Sequence, residues 1–243
     1  MNRLFSGILS AFFPKTCACC GEIVEEDEEL CDYCREMIRR CDPLRRCIRC
    51  GMQKKECVCK SRLLFFDGCI APFVNTDVAQ NAIFRLKYHQ KPFIADFFAR
   101  EMAWCVKNEY RTQRFDVICY VPMVRARERR RGYNQSHLLA ERIGKLLHIP
   151  VFHNLLICRR SSKPQHELNA REREKNVAGL YTCKTVLDGM TVLLVDDIKT
   201  TGATLNECAK QLTIAGAASV WCVTALCTDK KKEGKIHGNR NWN

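Results

Sequence analysis

The sequence predicts an α/β fold in which helices flank a parallel sheet, with a small cysteine-rich module ahead of it. Three observations support this prediction. The run TVLLVDDIKTTGAT, residues 191–204, joins a short apolar strand to a hydroxyl-rich turn and a helical pattern. Beyond the first quarter of the chain, apolar strand patterns alternate with helical patterns. Ten of the 18 cysteines lie between Cys17 and Cys59. We therefore expect a module at residues 1–61 and an α/β domain at residues 62–243.

Length and charge indicate a globular protein with an anionic ligand. A chain of 243 residues is long enough for one α/β domain and a small appendage. The apolar content of 47% and the charged content of 28% are ordinary, and no apolar stretch approaches the ~20 residues of a membrane span. Residues 1–60 carry 11 Lys/Arg against 10 Asp/Glu, whereas residues 61–243 carry 29 against 17. A basic domain of this kind favours pyrophosphorylated substrates, nucleic acid, or both.

The N-terminus and the distant cysteines bear on the cellular compartment. MNRLFSGILSAFFPK has apolar side chains at helical spacing, which predicts a short amphipathic helix that packs on the protein. A signal peptide stays as the alternative, although no small-x-small cleavage site precedes Pro14. Eight cysteines beyond Cys59 are scattered through predicted strands and helices, as buried thiols usually are. Because a secreted disulfide scaffold would not carry such a free-thiol domain, we expect a cytoplasmic protein with no stable membrane insertion.

Eight cysteines of the N-terminal module form closely spaced pairs, a spacing typical of structural zinc sites. The pairs are Cys17 and Cys20, Cys31 and Cys34, Cys47 and Cys50, and Cys57 and Cys59. No Phe or Trp lies between the first and the last of them, so the segment cannot bury a useful core and needs crosslinks to fold. With a cytoplasmic domain attached, we expect zinc rather than disulfides.

Two zinc ions, each held by four cysteines, are the first interpretation. The pair Cys57 and Cys59 is tighter than the others, and Cys19 and Cys41 are spare thiols that can substitute. One zinc site beside a degenerate second site therefore remains an alternative. Four thiolates leave no open coordination position, which indicates a structural role for the zinc.

The first part of the α/β domain alternates strands and helices. Residues 65–74 predict a strand region, and a helix capped by Asp77 is expected to end near Tyr88. A second helix is predicted at residues 92–108. Residues 116–121 predict a short strand that stops at a proline.

The segment after this strand is rich in arginine and then becomes helical. Its arginines are predicted to lie in a loop and are Arg125, Arg127, Arg129, Arg130 and Arg131. The core stripe of the next helix is predicted to comprise Leu138, Leu139, Ile143, Leu146 and Leu147. In a parallel sheet the loop lies on the carboxyl edge, where ligands of open α/β sheets bind. It is placed to hold pyrophosphate through charge-assisted pairs, and the alternative is a solvated basic turn.

Residues 159–181 are polar, lack a clear strand and are long for a connection, which predicts a lid or hood beside the site. Its distinctively spaced residues are Gln165, Leu168, Arg173, Asn176 and Val177.

Two adjacent carboxylates, Asp196 and Asp197, follow the predicted strand 192–195 and precede a turn at the start of a helix. Free N–H groups and the helix dipole favour a phosphate in this turn, whereas the carboxylates suit sugar hydroxyls or Mg²⁺. The helical pattern stops at Gly216. A competing interpretation, the acidic strand of a P-loop nucleotide hydrolase, requires a G-x-x-x-x-G-K-[ST] partner that the sequence lacks.

Residues 191–204 resemble the phosphoribosyl-pyrophosphate (PRPP) motif of type I phosphoribosyltransferases, which is an apolar strand, Asp-Asp, two further residues and Thr-Thr-Gly. Four cysteine pairs, RRGYNQSHLLA at 130–140, the spacing Q-x-x-L-x-x-x-x-R-x-x-N-V at 165–177 and DDIKTTGAT occur in that order. The combination is similar to the ComF family, specifically its ComFC type with an N-terminal zinc module. The resemblance spans roughly residues 17–227, and its departures are the tight fourth cysteine pair and Lys199.

The resemblance implies a role for each part of the site. Asp196 and Asp197 bind the ribose hydroxyls of PRPP, with Mg²⁺ nearby. The 5′-phosphate loop comprises Lys199, Thr200, Thr201, Gly202, Ala203 and Thr204. The basic loop that holds pyrophosphate comprises Arg125, Arg129, Arg130 and Arg131. The hood contributes Gln165, Arg173 and Asn176.

The resemblance also implies two classes of function. ComF proteins are implicated in DNA uptake during natural transformation and work beside a helicase-like partner. This protein is accordingly expected to bind PRPP and to act on incoming single-stranded DNA, which the basic excess and the tail at 228–243 fit. The alternative is an active phosphoribosyltransferase, which transfers the pentosyl group to an acceptor that the sequence does not identify.

Overall fold

The computed structural model describes residues 14–57, 59–88, 91, 93–159 and 177–229. The predicted N-terminal helix, most of the predicted hood and most of the basic tail lie outside these residues. No helix among the described residues has both the length and the apolar character that a membrane crossing requires.

The strands of the described residues form two sheets. They are β1 (Gly68–Ile70), β2 (Phe73–Val74), β3 (Val117–Tyr120), β4 (Leu156–Cys158), β5 (Tyr181–Cys183), β6 (Thr191–Lys199) and β7 (Ser219–Cys227). A five-stranded parallel sheet has the order β1–β7–β6–β3, and β2 also pairs with β7. β4 and β5 form a separate antiparallel pair. The predicted parallel sheet is therefore confirmed.

The helices cover both faces of this sheet. They are α1 (Asp32–Met37), α2 (Asp77–Tyr88), α3 (Phe93–Glu109), α4 (Arg125–Arg131), α5 (Gln135–Leu147) and α6 (Ala203–Ile214), with short 3₁₀ turns at Pro43–Arg45 and Lys54–Glu56. α2, α3 and α5 bury their apolar residues in one cluster, and α6 buries its residues in the other together with the β4–β5 pair.

β6 runs through the middle of the core. Leu193 and Val195 belong to one apolar cluster, whereas Val192 and Leu194 belong to the other. Because both faces of a central parallel strand are buried, the strand is apolar at consecutive positions rather than at alternate ones. β6 also extends to Lys199, so the acid pair lies within the last part of the strand instead of following it.

The predicted arginine loop is wrong in its local conformation, because Arg125 to Arg131 form the short helix α4. Arginine and glutamate are good helix formers, so a segment rich in both can be helical without an apolar stripe. Gly132 ends the helix with a φ of 88°, a left-handed conformation that glycine adopts without strain. The chain can then turn directly into α5.

Two smaller predictions are also wrong. Asp77 is the first helical residue of α2 rather than its cap, since Thr76 Oγ1 accepts a hydrogen bond from the Ala79 N–H at 3.5 Å. Leu146 is 39% exposed and does not join the core stripe of α5, in which Leu139, Ala140, Ile143 and Gly144 are buried.

The cysteine-rich module packs on the sheet domain through its own cysteines. Cys17 and Cys34 are fully buried in the cluster of α2 and α3, whereas Cys50 belongs to the cluster on the opposite face. Beyond the end of β7, Asp229 accepts hydrogen bonds from Arg39, Arg46 and Gln53 at 2.6–2.7 Å. These bonds attach the module to the last strand of the sheet.

Candidate functional site

The acid pair lies at the carboxyl end of β6 and is held by residues from two helices. Ser136, at the start of α5, donates its hydroxyl to Asp196 Oδ1 at 2.8 Å. The Asp197 N–H donates to the same oxygen at 2.8 Å. Lys87, near the end of α2, places Nζ 2.6 Å from Asp197 Oδ2. The two carboxylates therefore have different partners, a hydroxyl for one and an ammonium for the other.

The environment of Asp196 opposes its ionisation. Burial of the carboxyl and the neighbouring charge of Asp197 raise its pKa from the ordinary value of 3.8 to about 7. The hydrogen bonds from Ser136 and from the Asp197 N–H act in the opposite direction and are the smaller effects.

The turn after β6 has the geometry of an anion-binding loop. Gly202 has a φ of 76° and directly precedes α6, a helix of 12 residues. The first N–H groups of a helix lack partners within the helix, and the helix dipole places partial positive charge there. The Ala203 N–H contacts Thr201 Oγ1 at 3.3 Å, and the Thr201 carbonyl accepts a bond from Arg62 at 2.7 Å. The bond from Arg62 holds the loop, whose residues line the same pocket as the acid pair.

Lys199 is directed toward the cysteine module rather than toward bulk solvent. Its side chain is buried, and Nζ lies 3.2 Å from the Met52 sulfur. A β carbon added at Gly202 would lie 3.3 Å from Lys199 Cε, so the lysine stem also packs under the turn. The stem therefore supports the turn.

Arginines of α4 line the same pocket as the acid pair. Arg131 donates to Gln135 Oε1 at 2.6 Å, and its guanidinium lies 4.9 Å from the centroid of the Tyr88 ring. This contact positions the side chain through a cation–π interaction. Arg130 is exposed on the same helix.

These groups open on one cavity of about 470 Å³. Its charged lining comprises Lys87, Arg127, Arg130, Arg131, Asp196, Asp197 and Lys199, and the whole turn 199–204 also contributes. Arg125 and Arg129 lie on α4 but do not line this cavity. A volume of this size accommodates a small anionic ligand with several polar groups.

Sequence reasoning missed Lys87 and Ser136 and did not single out Arg127 for the site. Nothing along the chain links Lys87 to residue 197. Ser136 sits inside the run 130–140, but its hydroxyl has no sequence signal that distinguishes it from a helix-capping serine. Each belongs to the site because the fold brings separate helix ends to one sheet edge.

The predicted hood residues Gln165, Arg173 and Asn176 lie outside the described residues. Their segment joins β4 to β5, and both strands border the cavity, through Cys158 and Tyr181. Val177 and Leu180, which follow the segment, are buried in the cluster of α6. The described residues that flank this segment therefore include two, Cys158 and Tyr181, that line the cavity.

The eight predicted zinc ligands come together as two tetrads. Cys17, Cys20, Cys31 and Cys34 form the first, and Cys47, Cys50, Cys57 and Cys59 form the second, with the sulfurs of each within 4.8 Å of one another. A tetrahedral ion with a Zn–S distance of about 2.3 Å separates its sulfurs by about 3.8 Å. The observed separations of 3.6–3.7 Å, between Cys20 and Cys31 and within the second tetrad, fit that geometry. Both tetrads can hold zinc.

The spare cysteines do not replace any of these ligands. Cys41 Sγ lies 3.3 Å from Cys227 Sγ, at the end of β7. Cys19 is buried beside the first tetrad, which is complete without it. The tighter spacing of Cys57 and Cys59 is accommodated, since both thiols face Cys47 and Cys50.

Comparison with known proteins identifies the family. Residues 133–240 match the Phosphoribosyl transferase domain family. The DNA utilization protein YhgH of Salmonella typhimurium is 30% identical over 212 residues, which cover 85% of this chain and 88% of that protein. Competence protein ComFC of Bacillus subtilis is 27% identical over 215 residues, or 84% and 86% of the two chains. The chain belongs to the ComF family.

Other relatives match this ComF-family chain over a shorter length. YhgH of Escherichia coli K12 is 34% identical over 146 residues, which is 58% of this chain and 64% of that protein. Among solved structures, the purine phosphoribosyltransferase of Pyrococcus horikoshii has a TM-score of 0.34 at 15% identity, covering 59% of this chain and 94% of its own. The fold assignment rests on the sheet and the family match, not on that likeness.

The raised pKa of Asp196 predicts how the stability of this ComF-family protein depends on pH. The folded state retains the proton between the ordinary pKa of 3.8 and about 7, whereas the unfolded state loses it. In that interval the folded state binds more protons, so the free energy of unfolding decreases as the pH rises. We expect Asp196→Asn to stabilise the ligand-free protein at about pH 8 and to change it little at about pH 4.

Urea unfolding without ligand at the two pH values measures this effect. Asp188→Asn is the matched control, because Asp188 is exposed in a turn with a φ of 35° that Asn also tolerates. An equal effect of Asp196→Asn at both pH values would contradict the prediction.

Proposed function

We propose that this protein binds PRPP together with Mg²⁺ in the cavity at the carboxyl edge of the sheet. The observation that carries the proposal is the convergence of an acid pair, a helix-terminal phosphate loop and basic side chains on one cavity of about 470 Å³. PRPP is the ligand that needs all three, since it combines a diol, a monophosphate and a pyrophosphate. Membership of the ComF family supports the same ligand.

Each group of the ligand has a matching part of the site. The loop Thr200–Thr204 receives the 5′-phosphate at the N-terminus of α6. Asp196 and Asp197 accept hydrogen bonds from the ribose hydroxyls. Arg130, Arg131 and Lys87 face the pyrophosphate from α4 and α2. Lys87 pairs with Asp197 in the ligand-free protein, so its ammonium is already next to the place where pyrophosphate binds.

Mg²⁺ fits the same donor set. The carboxylates of Asp196 and Asp197 are hard oxygen donors, and Mg²⁺ usually combines one or two such groups with water and substrate phosphates. When bound, the ion neutralises pyrophosphate charge that would otherwise repel the acid pair.

For the cellular role, we propose that the protein acts on single-stranded DNA during uptake in natural transformation. Its relatives are named for DNA utilization and for competence. The 29 Lys/Arg against 17 Asp/Glu in residues 61–243 suit contact with nucleic-acid phosphates. The family association adds a helicase-like partner and a cytoplasmic location to the proposal.

Substitutions of the α4 arginines can distinguish PRPP binding from binding of single-stranded DNA. Arg130 and Arg131 line the cavity, whereas Arg125 and Arg129 lie on the same helix outside it. We expect the double substitution of Arg130 and Arg131 by Ala to weaken PRPP binding by about tenfold or more, because charge-assisted hydrogen bonds are lost. The double substitution of Arg125 and Arg129 is the matched control and should leave PRPP affinity unchanged.

Calorimetry with PRPP and Mg²⁺, beside fluorescence anisotropy with single-stranded DNA at two salt concentrations, gives both affinities. If DNA binds along α4, both double variants lower DNA affinity and reduce its salt dependence alike. Equal loss of PRPP affinity in the two variants would show that α4 acts only through its total charge. Saturating PRPP that leaves DNA binding unaffected would place the DNA surface elsewhere.

An active phosphoribosyltransferase is the second candidate function, and the match of residues 133–240 to the Phosphoribosyl transferase domain family favours it. Release of pyrophosphate from PRPP in the presence of candidate acceptors tests this function. Absence of release with a broad set of nucleobases and amines would leave PRPP as a bound regulator rather than a substrate.

A further inference from the structure

A third group of metal-ligating side chains lies outside both tetrads and outside the cavity. His137 and Glu141 are four residues apart on α5 and therefore share one face of that helix. His153 lies in the segment that returns from α5 to the sheet edge. One ligand atom from each of the three residues falls within 4.8 Å of the other two.

The three side chains are oriented toward a common point. His137 Nε2 lies 3.8 Å from Glu141 Oε1, and His153 Nε2 lies 3.3 Å from the same oxygen. The two imidazole rings are nearly perpendicular, with centroids 5.1 Å apart. The Tyr120 ring stacks on His137 with centroids 4.6 Å apart, which limits rotation of that imidazole.

One nitrogen of the group lacks a hydrogen-bond partner. Among the described residues, His137 Nε2 is one of three buried side-chain nitrogen or oxygen atoms without such a partner. Leaving a buried polar atom unpaired costs about 1–3 kcal/mol, so these atoms are rare in folded proteins. A carboxylate oxygen and an imidazole lone pair also repel each other unless a proton or a metal ion lies between them, and one proton on each ring leaves the other ring nitrogen as an acceptor. A bound metal ion removes both costs.

We propose that His137, Glu141 and His153 form a binding site for a divalent transition-metal ion, with Zn²⁺ as the best match to two imidazoles and one carboxylate. Zinc accepts these ligand types, and three protein ligands leave a coordination position open to water or to a small ligand. The site differs from the tetrads, whose four thiolates occupy every position. It also differs from the acid pair, which offers only oxygen donors.

The location gives the ion a definite structural consequence. His137 directly follows Ser136, which donates to Asp196, and Tyr120 is the last residue of β3. An ion at this point links the His153 segment to the first turn of α5, which also carries Ser136. We therefore expect the metal to raise the thermal stability of the protein.

Cobalt titration of the full chain tests the site. The protein is first loaded with only two equivalents of Zn²⁺, which the tetrads take up because four thiolates bind zinc more tightly than two imidazoles and one carboxylate. Co²⁺ is then added while the visible absorption is recorded. We expect one Co²⁺ to bind with weak d–d bands and without the intense thiolate charge-transfer bands that a tetrad would produce. Loss of a partner outside the ligand shell lowers metal affinity by about tenfold. His137→Ala and His153→Ala each remove a direct ligand and should lower the Co²⁺ affinity by more than that.

His148→Asn is the matched control. It removes an imidazole at the end of the same helix, at a φ of 56° that Asn tolerates, and it should leave Co²⁺ binding unchanged. Added Zn²⁺ should raise the melting temperature of the zinc-loaded wild type and of His148→Asn but not of His137→Ala. Equal Co²⁺ binding in wild type and both alanine variants, or Co²⁺ bound only with thiolate bands, would overturn the proposal.

Discussion

Replacing Asp196 and Asp197 together by Asn is expected to abolish PRPP binding while the fold stays intact. The substitution removes both acceptors for the ribose hydroxyls and leaves Lys87 without the carboxylate that now lies 2.6 Å from it. Hydrogen bonds to charged groups contribute about 1.5–3 kcal/mol each, so two of them correspond to a loss of about 100-fold or more. Calorimetry with PRPP in the presence and absence of Mg²⁺ measures the change.

Whether this double variant remains folded is measured separately, by thermal unfolding. Because the acid pair repels itself, we expect its melting temperature to equal or exceed that of the wild type at neutral pH. Asp188→Asn again serves as the control for loss of a carboxylate and should bind PRPP normally. Unchanged PRPP affinity in a folded double variant would mean that the acid pair does not form the ribose site.

The second large effect concerns the first cysteine tetrad. Cys34→Ser is expected to remove one of two bound zinc ions and to lower the melting temperature by roughly 10 °C or more. Cys17 and Cys34 are fully buried among the residues of α2 and α3, so loss of the ion disturbs the core as well as the module. Arg85, on α2, also donates to the Cys17 carbonyl at 2.7 Å and would lose a fixed partner.

Elemental analysis of protein purified without added metal, combined with thermal unfolding, tests this expectation. Cys57→Ser in the second tetrad should release one zinc with a smaller loss of stability, because Cys57 is exposed. Cys183→Ser is the control, since Cys183 belongs to neither tetrad and its bond to the Thr185 carbonyl suits a hydroxyl equally. A wild-type protein without zinc would refute the metal interpretation, and one ion per chain would demote the second tetrad.

Features that depend on neighbouring residues in the chain could be predicted well. The apolar run of β6, the acid pair at its end and the helix after Gly202 follow from local patterning and turn chemistry. The cysteine pairs likewise predicted two tetrads, because knuckles of this spacing bring thiols together over short distances. The sequence alone therefore determined the fold class, the membership of the two cysteine tetrads and the sheet edge that bears the acid pair.

Only the tertiary structure decided which distant side chains complete that edge. Lys87 meets Asp197 and Ser136 meets Asp196 because the C-terminus of α2 and the N-terminus of α5 lie at the same sheet edge, a relation between segments that no local pattern encodes. The division of α4 into arginines that line the cavity and arginines that do not depends on how the helix is oriented against the sheet. The His137, Glu141 and His153 group depends in the same way on the return of the chain after α5. Local sequence sets conformation through short-range sterics and hydrogen bonds, whereas site composition is set by the packing of whole elements.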